Sequence, residues 1–286
     1  MKIIIAKNIG LCTGVKRTLD IADHSLEMDP KPIQFLGEII HNEKVIKNFE
    51  KRGGKIIFNP KEAKKGTLVI RAHGIPPLTF PKNILIRDAT CPLVKRAQEA
   101  AKTLSQKGYK IIIIGEKNHP EVKGIKGYVN GEAIIIEKES QAKMLKKIKK
   151  AGVISQTTQS IERVDKIINI LKDKTKELEW INTLCPQVLS RQKELSEIIK
   201  KIEGVLVIGS FTSANTQRLV EIVKKNKKSV WLVNSGKDLK KVDFKNISTL
   251  GIVSGTSVPD WEIEEIKKFL EGHFKTKGNL IIRNPS

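Results

Sequence analysis

Asp88-Ala89-Thr90-Cys91-Pro92-Leu93-Val94-Lys95-Arg96 is the stretch that decides how this chain folds. The apolar run Ile84-Leu85-Ile86 precedes it, and an amphipathic stretch ending at Gly108 follows. Cys91 therefore marks a hand-over from strand to helix. Pro92 suits the first turn of that helix, where its missing N–H costs nothing. Two other stretches repeat the pattern. Cys12-Thr13-Gly14-Val15-Lys16-Arg17 shares C-x-x-V-K-R with it, and Cys185-Pro186-Gln187-Val188 keeps C-x-x-V with Arg191 one position late. These are the chain's 3 cysteines, and each opens a helix in the same way. They read as one site assembled from three places.

Outward from Cys91, strands alternate with amphipathic helices in both directions. The first stretch holds strands at Ile33–Leu36, Lys55–Phe58, Thr67–Arg71 and Asn83–Arg87, with helices after Cys12 and around Val45, Ile46 and Phe49. The second repeats that order, with strands at Lys110–Ile114, Ala133–Ile136, Gly152–Ser155 and Leu178–Ile181, and a Lys-rich helix expected around Met144 to Lys150. The third has strands at Val205–Ile208, Val230–Val233 and Thr249–Val253. It lacks the fourth strand that returns to a cysteine in the others. Ile3–Ala6, which leads to Cys12, is the natural candidate.

The cysteines lie 79 and 94 residues apart, so the spacing predicts three similar α/β modules. The first runs over 13–90, the second over 91–185, and the third over 186–286, completed by the N-terminal strand within 1–12. Alternating strands and helices predict mainly parallel sheets with right-handed crossovers. In such sheets the residues past the carboxyl ends of the strands line the site. Three modules around a pseudo-threefold axis would bring those ends to one centre.

Composition limits the rest. The net charge is +22, from 44 Lys, 9 Arg and 31 acidic residues. Such a surplus raises a basic RNA-binding module as one alternative. Against it, the lysines are spread along the chain and aromatic residues are 5%, so platforms for stacking bases are scarce. The run Ile3-Ile4-Ile5 is too short for a signal-peptide core, no run is long enough to span a membrane, and three cysteines make no disulfide framework. The expected location is the cytoplasm.

Three cysteines from three modules suit three irons of a cubane cluster, leaving a fourth iron without a protein ligand. A zinc site with a non-cysteine fourth ligand, or buried apolar thiols, are the competing readings. His41 and His119 each lie four residues past a strand-ending glycine, Gly37 or Gly115, and His73 lies just past another strand end. The matching places in the third module hold Ser213, Asn215 and Ser257. Imidazoles, hydroxyls and an amide are hydrogen-bond donors suited to phosphate oxygens. Few arginines are expected at these turns. His24 and His273 stand on no repeated motif and read as structural. Glu121, two residues past His119, is either a general acid or first-turn decoration.

Taken together, the motifs resemble the 4-hydroxy-3-methylbut-2-enyl diphosphate reductase family. They are Cys12-Thr13-Gly14-Val15, Glu38 to Asn42, Ala72-His73-Gly74, Asp88 to Pro92, His119-Pro120-Glu121, Gln156-Thr157-Thr158, Asn182 to Cys185, Ser213 to Arg218 and Gly255 to Asp260. The resemblance covers essentially the whole chain. It implies one [4Fe-4S] cluster on Cys12, Cys91 and Cys185. It implies a diphosphate held by His41, His73, His119, Ser213, Asn215 and Ser257. It also implies Glu121 as proton donor with His119, and Thr157 near the substrate hydroxyl. The surplus positive charge would steer an acidic electron donor, a ferredoxin or flavodoxin, with Lys143 to Lys150 as its docking face. Isopentenyl and dimethylallyl diphosphate would be the products. Quinolinate synthase, which also joins three modules and three cysteines, is the architectural alternative. Ala214 stands where the family usually shows serine, removing one hydroxyl donor, and Pro186-Gln187 also departs from the pattern.

Overall fold

The strand-to-helix hand-overs set the element order of the computed structural model, in which residues 1–245, 247–275 and 281–283 are described. Strand β1 (Lys2–Ile5) comes first. Helix α1 (Thr13–Met28), β2 (Ile33–Leu36), α2 (Glu43–Lys51), β3 (Gly54–Ile57), β4 (Gly66–Ile70) and β5 (Ile84–Asp88) follow. Next are α3 (Pro92–Gln106), β6 (Lys110–Ile114), α4 (Pro120–Lys126), β7 (Ile134–Ile136), α5 (Glu139–Lys143), β8 (Ile148–Ser155), α6 (Ile161–Lys172) and β9 (Thr175–Trp180). The last stretch holds α7 (Pro186–Ile198), β10 (Gly204–Ile208), α8 (Ala214–Lys225), β11 (Ser229–Val233), β12 (Thr249–Ser254), α9 (Asp260–Lys275) and β13 (Ile281–Arg283).

The strands form three sheets, ordered β3-β2-β4-β5, β7-β6-β8-β9 and β11-β10-β12-β1-β13. Every pairing is parallel. The order is the same each time: second strand, first, third, then the strand that leads to a cysteine. In the third sheet that last place is taken by β1, in register Ile4↔Gly251 with β12. β13 adds a fifth strand on the far side of β1, in register Lys2↔Ile281.

The chain divides into two compact units, Thr13–Cys185 and Met1–Cys12 with Pro186–Ser286. Both faces of a parallel sheet are covered by its crossover helices, so both must be apolar. The five-stranded sheet shows how alternation meets that demand. Ile3 and Ile5 face one core with Leu206, Ile208, Leu250 and α9 residues Ile263 and Ile266. Ile4 and Ala6 face the other with Val205, Val207 and helix residues Leu195, Leu219 and Val223. In the other unit, β6 and α3 share a core of Ile111, Ile113, Ala97, Ala101 and Leu104.

The expected helix around Met144 to Lys150 is not formed. α5 ends at Lys143, and Ile148, Lys149 and Lys150 already belong to β8. A tertiary partner decides this. Lys150 pairs with Glu177 across β9, stands 3.3 Å from its carboxylate, and lies 4.2 Å from the centre of the Tyr109 ring. After β3 the chain makes a single 3-10 turn, Pro60–Glu62, closed by reciprocal bonds between Asn59 and Glu62.

Candidate functional site

The cysteines are held alike. Cys91 N–H donates to Ala72 O at 3.0 Å, Cys185 N–H to Thr157 O at 2.9 Å, and Cys12 N–H to Thr256 O at 3.1 Å. Each acceptor lies two residues past the end of the third strand of its sheet: β4, β8 or β12. Each cysteine immediately precedes or caps a helix, at the positive end of its dipole. None is in a disulfide, and all three are partly exposed, which is not the environment of an apolar core cysteine.

The turns after β2, β4 and β6 bring three histidines together. Ring centres lie 4.5 Å apart for His41 and His73, 5.9 Å for His41 and His119, and 5.3 Å for His73 and His119. His41 precedes Asn42, which caps α2 by accepting from Val45 N–H at 3.1 Å. Its Nδ1 lies 3.4 Å from Glu38 Oε2. That is an ion-pair separation without hydrogen-bond geometry, and neither ring nitrogen of His41 has a hydrogen-bond partner among the described residues. The nearness of His41 is the main cause holding the Glu38 carboxyl below its usual range. Burial pushes His73 well below the ordinary imidazole range, and His41, His119 and Arg71 add to the effect. His73 is therefore neutral at pH 7.

His119 caps α4. Its Nδ1 accepts from Glu121 N–H at 3.1 Å. An accepting Nδ1 leaves the proton of a neutral ring on Nε2, so His119 offers a donor there. The same turn fixes Glu121, which is 2% exposed. Its Oε1 accepts from Thr157 N–H at 2.6 Å, and Oε2 lies 2.9 Å from Thr157 Oγ1. Burial raises the carboxyl pKa to about 7, although both Thr157 bonds favour the charged form. Glu121 can thus carry a proton near neutrality and release it. First-turn decoration would leave it exposed, and that reading is set aside.

In the other unit Ser213 caps α8, accepting from Thr216 N–H at 3.4 Å. Asn215 is 2% exposed, and its amide nitrogen and oxygen have no hydrogen-bond partner among the described residues. Ser257 sits half-buried in the turn after β12. Ala214 is buried at 3% exposure.

The family model described as LytB protein matches residues 3–271. The chain belongs to the LytB family. It is 37% identical over 285 residues to the 4-hydroxy-3-methylbut-2-enyl diphosphate reductase of Dictyoglomus turgidum, covering 98% of this chain and 100% of that protein. The reductase of Geobacter metallireducens is 34% identical over 270 residues, covering 93% and 95%. The solved Plasmodium falciparum E-1-hydroxy-2-methyl-but-2-enyl-4-diphosphate reductase superposes with TM-score 0.91 at 29% identity, covering 99% of this chain and 91% of that one. A second solved structure, an (E)-4-hydroxy-3-methyl-but-2-enyl diphosphate reductase, gives TM-score 0.65 at 33% identity, covering 95% and 99%.

Sequence reasoning missed the arginines of this LytB chain. Arg71 directly follows β4, and its guanidinium packs against Gly37, where any Cβ would collide with it. Gly37 has φ 77°, so the turn and the packing both require glycine. Arg71 acts on the charges of Glu38 and His73. Its position just before Ala72-His73-Gly74 was the available signal.

Proposed function

We propose that this chain reduces 4-hydroxy-3-methylbut-2-enyl diphosphate to isopentenyl and dimethylallyl diphosphate, the last step of the non-mevalonate isoprenoid pathway. LytB membership disposes of the quinolinate synthase-like and RNA-binding readings. The observation that carries the chemistry is Glu121: a buried carboxyl, proton-bearing near pH 7 and fixed by Thr157, behind His119.

In this reading His41, His73 and His119 hold the diphosphate, with His119 donating from Nε2. Ser213, Asn215 and Ser257 are further donors, and the unpartnered amide of Asn215 supports this. Thr157 orients both the acid and the substrate hydroxyl. Glu121 gives its proton to that hydroxyl. The allylic C–O bond breaks, the oxygen leaves as water, and the carbon skeleton takes up two electrons and a second proton.

Cys12, Cys91 and Cys185 would hold one [4Fe-4S] cluster. The fit rests on three partly exposed cysteines, each with its backbone N–H bonded to the matching turn carbonyl. When bound, the cluster supplies electrons for the reductive loss of the hydroxyl. A ferredoxin or flavodoxin delivers them, and the net charge of +22 favours such an acidic carrier.

Anaerobic purification tests the reading. About four irons and matching sulfide per chain are expected, together with turnover of 4-hydroxy-3-methylbut-2-enyl diphosphate under a chemical reductant. A fully loaded protein that does not consume this substrate would overturn it.

A further inference from the structure

The repeated C-x-x-V segments carry an arginine five or six positions after the cysteine, and each arginine bonds to the loop that delivers the next cysteine. Arg17, after Cys12, donates from Nη1 to Thr90 O at 3.2 Å and from Nη2 to Asp88 O at 3.4 Å. Thr90 lies in the loop ending at Cys91, and Asp88 is the last residue of β5, which delivers that loop. Arg96, after Cys91, donates from Nη2 to Asn182 O at 2.7 Å, in the loop ending at Cys185. Arg191, after Cys185, donates from Nη2 to Gly10 O at 2.7 Å, in the loop ending at Cys12. The motif in sequence thus corresponds to one recurring bond, handed from each cysteine's helix to the following cysteine's loop.

The three bonds differ in strength. Arg17 and Arg96 are exposed, and water competes with their carbonyl contacts. Arg191 is 7% exposed. Its Nη1 reaches Ser254 O at 3.1 Å, Ser254 Oγ at 3.2 Å and Gly255 O at 3.2 Å. Ser254 Oγ also accepts from Gly10 N–H at 2.8 Å. The segment it holds, between β1 and α1, has no regular structure of its own. Gly10 within it has φ 88°, and a Cβ there would stand 2.6 Å from Asp260 Oδ1. One guanidinium therefore ties the approach to Cys12 to the turn Ser254-Gly255-Thr256, whose Thr256 O holds Cys12 N–H. Lysine, with one compact ammonium, cannot span those acceptors in two directions.

We propose that Arg17, Arg96 and Arg191 are positioning residues that hold the cysteine loops in the conformation that ligates iron, with Arg191 dominant. The proposal rests on the cluster reading above. It separates ligand positioning from general support of the fold, because each arginine reaches a backbone carbonyl within three residues of the next cysteine.

The test uses anaerobically loaded holoenzyme. Arg191→Lys is expected to lose iron to a chelator at least about tenfold faster than wild type, the scale of one buried charge-assisted bond. Its low-temperature electron paramagnetic resonance spectrum should change as well. Arg17→Lys and Arg96→Lys should accelerate loss less. Ser254→Ala, a milder change that removes one acceptor, should move both readouts in the same direction as Arg191→Lys, and it keeps the test open if that variant does not fold. A lowered Tm with unchanged chelator lability and an unchanged spectrum would make Arg191 a fold-supporting residue and overturn the proposal. A wild-type protein that takes up no iron would instead overturn the cluster reading, and the proposal with it.

Discussion

Glu121→Gln separates the roles of the carboxyl as acid and as packing. The amide is nearly isosteric with the acid. Its oxygen can keep the 2.6 Å bond from Thr157 N–H, and its NH2 can donate across the 2.9 Å contact to Thr157 Oγ1. Fold and substrate affinity should therefore survive. Turnover should fall by roughly two to four orders of magnitude, the usual range for loss of a general acid. The wild-type pH profile follows from the pKa of about 7: the active form is protonated, so turnover declines as pH rises through about 7. The variant should lack that limb. Stability should move the other way. A carboxyl raised from 4.5 to about 7 favours the fold while protonated; that advantage is lost as pH rises from the unfolded to the folded value. The cost above pH 7 is about 3 kcal/mol, and the neutral amide avoids it. Glu121→Gln should thus melt above wild type at pH 8 and close to it at pH 4.5. Single-turnover kinetics on loaded protein and thermal melts at both pH values check the two halves. A fall in turnover of less than about tenfold, with the basic limb intact, would refute the acid role.

Three other outcomes are expected. Thr157→Val removes a bond that favours the ionised form of Glu121, so the basic limb of the pH–rate profile should move to higher pH; a limb that stays put would show that another group titrates. Ile4→Ala should cost about 2–5 kcal/mol in urea denaturation, because Ile4 is 6% exposed on a strand paired on both sides; a loss below about 1 kcal/mol would place β1 outside the core. Turnover driven by a ferredoxin should fall steeply from low to physiological ionic strength, while turnover driven by a small uncharged reductant should barely move. A shared flat response would remove the +22 charge from electron delivery.

The strand and helix alternation was legible because each element carries its own periodicity. β6 falls on Lys110–Ile114 as read, and most other strands differ by a residue or two at their ends. What failed was decided by partners outside the local window. Leu145 and Ile148 have helical spacing among lysines, but Lys150 follows Glu177 and Tyr109 into β8. The Lys143 to Lys150 block is consequently divided between the end of α5 and the start of β8. β13 escaped notice because its short apolar run gains meaning only beside β1. The positions of Cys12, Cys91 and Cys185 showed in the sequence; the arginine bonds did not, because a motif lists residues and not acceptors. For the same reason the sequence could not separate Glu121 from an ordinary first-turn glutamate. Its burial and its bond to Thr157, which lies 36 residues away, are set by the tertiary fold.

Three imidazoles with ligand atoms within 4.8 Å of one another would ordinarily point to a metal ion. The proton on His119 argues for an anion instead. Its Nδ1 lone pair is engaged by Glu121 N–H, so ligation through Nε2 requires a second deprotonation or the loss of that bond. The bond also starts α4 and thereby sets the Glu121 carboxyl against Thr157. A metal drawn to His119 would disturb the acid, whereas an oxyanion needs only the donor already there. His73 fits the same logic. Burial keeps it neutral beside two other rings and Arg71, which avoids a further positive charge next to the guanidinium before anything binds. A diphosphate brings the opposite charge with it. That charge favours the protonated form of His73 that burial had excluded. In the proposed reading such a site would hold a multiply charged anion without a standing cluster of arginines, and it would leave Glu121 undisturbed.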